Sequence, residues 1–328
     1  MAFGLISCFK EPDTKTITTP IGSQTLLVLN EGNFQWGNAS VTRYMMHDQS
    51  YDDQDLFSQA NGRPLGDVLQ SAMLIDGQIW LVVNNSGRIE VVDKSSFKLV
   101  HSLTDFNSPR YLCPIDSGLL LVSDLYDDSI SVLHQSDGSL QQKIALKGWT
   151  EQMLRLGDDV WVSNPNSYKI YQLDEDSLYL KDSIDIGFGS FALSSDSQNR
   201  IWIATKGDKT LGIPAQIHCL DPNTKSMIHS LNIGTEPIID FYLKGDFVYY
   251  IQNNKLYRFP TDSPTAPGDL LYDKGGNLYA VELHDNRIFI CDAVDFVQRG
   301  KVIVLDTSGA ETHSFLAGRI PNGFLFIP

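Results

Sequence analysis

Seven times along this chain an apolar run meets a polar turn and is answered by a second apolar run. The first runs begin at Leu26, Ile79, Leu119, Val160, Ile201, Val248 and Ile288, separated by 53, 40, 41, 41, 47 and 40 residues. The answering runs include SVTRY, RIEVVD, SISVLH, KIYQLD, QIHCLD, KLYRF and KVIVLD. A recurrence of this kind, about four short strands per ~40 residues, is the spacing of a β-propeller blade. Helical periodicity is nearly absent, which excludes a helical solenoid. A sandwich would accept the strands but gives no reason for the period. Runs this apolar also fit strands buried on both faces, as in a blade packed between two others.

The expected fold is therefore all-β: a seven-bladed propeller of four-stranded antiparallel blades. The last segment, NGFLFIP, reads as the first strand of a blade, whereas the first unit, TLLVLN, reads as a second strand. The C-terminal strand is thus expected to complete the first blade and close the ring, which leaves no sheet edge open. One domain over 23–328 follows, preceded by a tail over 1–22. Asp93, Asp174, Asp221 and Asp306 recur just before a turn in four units. The first unit carries about a dozen extra residues on a loop, and the fifth and seventh carry longer turns, KGDKTLGIPAQ and DAVDFVQRG.

The formal charge is -15 over 328 residues. Such a field repels phosphate backbones, so no nucleic-acid partner is expected. No apolar run reaches the length of a membrane-spanning helix, so no helix is expected to cross a membrane. Cys113, Cys219 and Cys291 lie in apolar runs without metal-ligand spacing and read as buried free thiols, so no metal site is expected. No GxSxG, HExxH, GxxxxGK[ST] or GxGxxG motif occurs, and no cofactor is expected. His218 reads as core; the other histidines fall at strand ends or turns and read as solvated. The acidic stretches at Asp52–Asp55 and Asp124–Asp128 read as solvated surface.

Binding residues are expected where strand ends converge. In a propeller the second strands all return to one face around the central channel. Their ends read Asn30-Glu31, Asn84-Asn85, Asp124, Asn164, Thr205-Lys206, Gln252-Asn253 and Asp292. Loops entering the innermost strands reach the same face and bring Arg110, Tyr111 and Gln152. Aromatics lie close by in sequence: Phe34, Trp36, Tyr126, Trp149, Tyr168, Phe188, Tyr279 and Phe296. Apolar rings with a few directed polar groups suit a small-molecule site. Any single Asn or Asp in that ring has a competing role, bonding the backbone of its own turn. Glu31, Asp124 and Asp292 are the carboxylates that could act as acid and base if they shared a site.

Several stretches resemble a known group. NEGNFQWGNASVTRY, NGRPLGDVLQS, VVNNSGRIEVVD, SPRYL and VSDLYDDSISVL resemble the YncE-like, surface-layer-type propellers of gut Bacteroidota, and within that group the chain looks like BtuG-type cobalamin-binding surface lipoproteins. The LISC stretch ending at Cys8, followed by FKEPD, has the form of a lipobox with a surface-export signal, although few residues precede Cys8. The resemblance implies a non-enzymatic, lipid-anchored protein on the outer-membrane surface that captures a bulky nutrient, a corrinoid being the first candidate. A TonB-dependent outer-membrane transporter is the implied partner. Two other classes remain: a propeller enzyme of lactonase or quinone-dependent dehydrogenase type, and a protein-interaction platform.

Overall fold

The second strand of each unit is apolar through its middle, so both of its faces must be covered there. In the computed structural model, which describes residue 21, residues 24–52 and residues 55–328, Thr25–Asn30 and Leu119–Asp124 are buried at every position. Successive side chains of such a strand point to opposite faces of its sheet. Ile79, Leu81 and Val83 pack towards the first blade, while Trp80 and Val82 pack towards the third. The apolar core is accordingly split into seven clusters, one between each pair of neighbouring blades.

Seven four-stranded antiparallel sheets result, and in six of them the strands run from innermost to outermost in chain order. Blades two to seven occupy residues 69–103, 109–145, 153–185, 190–234, 238–272 and 278–316. Blade one is completed from the far end of the chain: Pro321–Ile327 pairs with Thr25–Asn30 as its innermost strand. The fold expected from the repeat is the fold observed.

Blade one departs from the others on its outer side. Its fourth strand is only Ser50–Tyr51, and the extra sequence forms a helix, Leu56–Asn61, rather than a loop alone. Asp55 caps that helix by accepting from Phe57 N and Ser58 N, and it also accepts from Val41 N at 2.9 Å. Leu56, Phe57 and Ala60 then bury against the cluster between blades one and two. A stretch that read as solvated acid thus holds a cap, and Asp52 next to it pairs with Arg43 at 2.7 Å.

The recurrent aspartates shape the turns. Asp93, Asp174, Asp221 and Asp306 accept from backbone N–H groups of Ser96, Ser177, Asn223 and Ser308, which fixes each turn through the side chain. Cys113, Cys219 and Cys291 are buried and free, and His218 is buried at 3% exposure. Three histidines expected in water are partly packed instead: His229 stacks on Trp202, with ring centres 6.3 Å apart. His284 stacks on Phe326, and His313 bonds the Tyr44 hydroxyl at 2.7 Å.

Candidate functional site

Because strands alternate in direction, the loops leaving each second strand and those entering each innermost strand meet on one face. The innermost strands carry a feature there that repeats round the ring. Where each begins, the ladder slips by a residue. Asn322, Gln70, Phe191, Ile239 and Tyr279 are extra residues in blades one, two, five, six and seven. In blade three Arg110 and Tyr111 share the slip. In blade four Glu151 N donates to Ser163 O while Ser163 N donates to Gln152 O, two residues against one. A bulge re-aims a side chain and increases local twist. Repeated seven times, it turns at least one side chain per blade towards the axis.

These residues line a funnel of about 410 Å³, together with Glu31, Lys206, Pro237, Ile238 and Asp240. A second cavity of about 220 Å³ continues from it along the channel, shares Gln70, Tyr111, Gln152, Asp240 and Asn322, and adds Tyr242 and Glu282.

Polar groups in the funnel bind one another. Arg110 grips Glu151 through two parallel bonds, Nε to Oε2 at 2.9 Å and Nη2 to Oε1 at 2.5 Å, the fork geometry that holds a guanidinium rigid. Arg110 also donates to Gln70 Oε1, and Gln70 Nε2 donates to the Tyr111 hydroxyl at 3.2 Å. The Tyr279 hydroxyl donates to Glu31 Oε2 at 3.4 Å. Gln152 Oε1 accepts from Leu193 N, and Asp240 Oδ2 accepts from Val281 N at 2.7 Å.

Burial in these walls acts on the carboxyls. It pushes Glu31 up to about 7 against the pull of Arg110. It lifts Asp240 to about 7 against its backbone bonds. Glu282, deeper in the channel, reaches about 8 through burial and then repulsion from Asp240. Taking water from a carboxylate penalises its charged form, so all three move in the same direction.

Of the residues picked out in the sequence, Glu31, Arg110, Tyr111, Gln152, Lys206 and Tyr279 line the funnel. Phe34, Trp36, Tyr126, Trp149, Tyr168 and Phe296 are exposed rings on the loops of the same face, with Phe188 half-buried among them. Tyr126 meets Trp149 edge-on at 5.9 Å, Tyr168 leans on Phe188 at 5.2 Å and Tyr279 meets Phe296 edge-on at 5.8 Å. They form a rim outside the funnel.

The buried strand-end residues do something else. Asn30 donates to Val28 O, Ser40 O and Thr42 Oγ1 and accepts from Gly318 N. Asn84 donates to Ser108 Oγ and Pro109 O. Asn164 accepts from Asn166 N. Asp124 accepts from Asn107 N, Ser108 N and Tyr126 N. Asp292 accepts from Asn277 N and Val294 N. None of these five lines the funnel; each ties loops to a blade, because a short polar side chain at a strand end lies beside unpaired backbone groups. Asn85 is exposed and donates to Asp67. Glu31 therefore shares the funnel with neither Asp124 nor Asp292. Gln70, Glu151, Phe191, Ile239, Asp240 and Asn322 are lining residues that strand-end reasoning passes over; superimposing the seven innermost strands on one another would have singled out most of them.

A family profile described as a domain of unknown function, DUF5074, matches residues 24–286. The chain belongs to that family. No curated protein matches its sequence. Solved structures share the fold of this DUF5074 chain at low identity. A quinonprotein alcohol dehydrogenase-like protein from Bacteroides thetaiotaomicron superimposes with a TM-score of 0.72 at 12% identity, covering 94% of this chain and 79% of that one. Dihydro-heme d1 dehydrogenase NirN gives 0.64 at 11%, covering 92% and 75%. Streptogramin B lyase gives 0.61 at 13%, covering 76% and 82%. At these identities the likeness concerns the fold alone.

Proposed function

We propose that the protein is a non-catalytic binding propeller that captures a small molecule in the axial funnel. The observation that carries this reading is the seven-fold bulge: every blade gives up a regular ladder position to send a side chain into one concavity. The cavity has the size and mixed lining of a ligand site, and exposed rings surround it. Aromatic faces cover apolar ligand surface, and a network fixed in advance by Arg110 and Glu151 lowers the ordering cost of binding. The resemblance to cobalamin-binding surface lipoproteins makes a corrinoid the first ligand to try, delivered to an outer-membrane transporter from a lipid anchor on Cys8. Cys8 lies outside the described residues, and radiolabelled palmitate incorporation lost in Cys8→Ala tests that anchor. Calorimetric titration with cyanocobalamin tests the ligand. A saturable, one-to-one heat that Tyr279→Ala and Gln152→Ala weaken is expected; no heat at micromolar protein removes the corrinoid.

A second reading has one observation in its favour. Glu31, near neutral pKa and bonded to Tyr279, is a carboxyl able to give or take a proton at pH 7. If the funnel is catalytic, Glu31→Gln abolishes turnover of any substrate found while leaving its binding within a few-fold.

A further inference from the structure

We propose that the ligand of this funnel carries an acidic group, and that the group seats on the Lys206 ammonium. The inference rests on the funnel being a binding site and names the chemistry it selects.

Several polar groups of the funnel are already bonded within the protein. Arg110 is spent on Glu151 and Gln70, and Tyr111 on Gln70. Tyr279 is spent on Glu31, Gln152 on Leu193 N, and Asp240 on Val281 N. Two further lining residues keep an open position. Asn322 Oδ1 is buried without a hydrogen-bond partner. Lys206 forms no ion pair among the described residues. Its Nζ lies 4.9 Å from the centre of the Phe191 ring, the side chain that the blade-five bulge turns inwards. An ammonium above a ring face still has N–H donors to offer on its open side.

Charge points the same way. Arg110 and Glu151 cancel as a pair. Burial favours the neutral forms of Glu31 and Asp240. The same walls draw Lys206 below its ordinary value, chiefly by desolvation and against Glu151. An incoming anion would restore what that ammonium loses. In a chain of net charge -15, a cation that forms no ion pair among the described residues and lines the funnel is a local exception that admits an anion.

The test uses two fluorescent probes of one scaffold: 8-anilinonaphthalene-1-sulfonate and its uncharged parent, N-phenyl-1-naphthylamine. Both are titrated into the full chain, Lys206→Met and Lys206→Arg. The sulfonate is expected to bind about tenfold or more tightly than the parent, the worth of one charge-assisted hydrogen bond. Lys206→Met is expected to erase that preference, read as the ratio of the two affinities, and Lys206→Arg to retain it. Competition by benzoate and by phenyl phosphate then ranks carboxylate against phosphate ester. Equal binding of both probes, or a preference that survives in Lys206→Met, overturns the acidic-group assignment and leaves the funnel a binding site. If neither probe binds saturably, the binding-site reading falls and this inference with it. Circular dichroism of each variant checks that a lost preference is not lost fold.

Discussion

At the scale of single residues the channel holds three carboxyls on adjoining blades, Glu31, Asp240 and Glu282, all held above their ordinary range by burial. Linkage turns this into a stability statement. Asp240 titrates near 3.8 when unfolded and about 7 in the fold. The folded state therefore holds the proton more tightly, and the stability from this group is complete below the lower value. It is lost as pH rises towards the upper one. Asp240→Asn removes the titration and keeps an acceptor for Val281 N. The variant is expected to gain stability over the parent chain as pH rises from 5 to 8, by about 1–2 kcal/mol after allowance for water in the channel. Urea unfolding at the two pH values measures it. The same gap at both would show that Asp240 titrates normally.

Elements decide what a polar strand end is for. The seven second strands were legible in the sequence because their apolar runs repeat at a nearly fixed interval, and the polar residues at their ends were legible too. What those ends face was not. Asn84 closes an apolar strand, yet its amide turns back to Ser108 and Pro109 of the next blade. The residues that enter the funnel belong instead to the innermost strands, set there by a slip in pairing that leaves no composition signal in any one strand. Arg110, Tyr111 and Tyr279 line the funnel and stand out in the sequence because their loops converge on the same face; Gln70, Phe191 and Asn322 look like ordinary strand residues until the seven strands are superimposed. The helix Leu56–Asn61 was hidden for another reason, being too short to show a period. This division of roles gives a test at the strand end. Asp124→Ala leaves three backbone N–H groups, of Asn107, Ser108 and Tyr126, without their acceptor. A cost of about 2–4 kcal/mol is expected, with Asp124→Asn costing less because its carbonyl still accepts. Guanidinium unfolding measures the difference. A ligand-facing Asp124 would show the reverse pattern, with stability unchanged and probe affinity reduced.

Across the whole molecule the ring has no terminal blade, because the last strand lies inside the first sheet. Each apolar cluster is shared between two blades, so the cluster between blades seven and one depends on residues from opposite ends of the chain. Phe324 sits there against Phe289 and Phe326, with Leu26, Val28, Tyr44 and Phe315 in the same cluster. Truncating it removes a nearly buried ring from a packed site, which costs about 3–5 kcal/mol. How that loss is distributed depends on closure. In an open stack with separable ends, a defect at the terminal strand would melt blade one by itself and leave the other six with their original transition. In a closed ring, freeing the innermost strand of blade one exposes the inner faces of blades seven and two together, and the defect spreads both ways. Phe324→Ala is therefore expected to lower the melting temperature of the entire domain as one transition. Scanning calorimetry, with tryptophan emission from Trp80, Trp161 and Trp202 in blades two, four and five, would show the shift by both signals. A separate early transition that leaves that emission unmoved would mean that the seven blades do not act as one closed unit, and that the funnel they define need not be rigid before a ligand arrives.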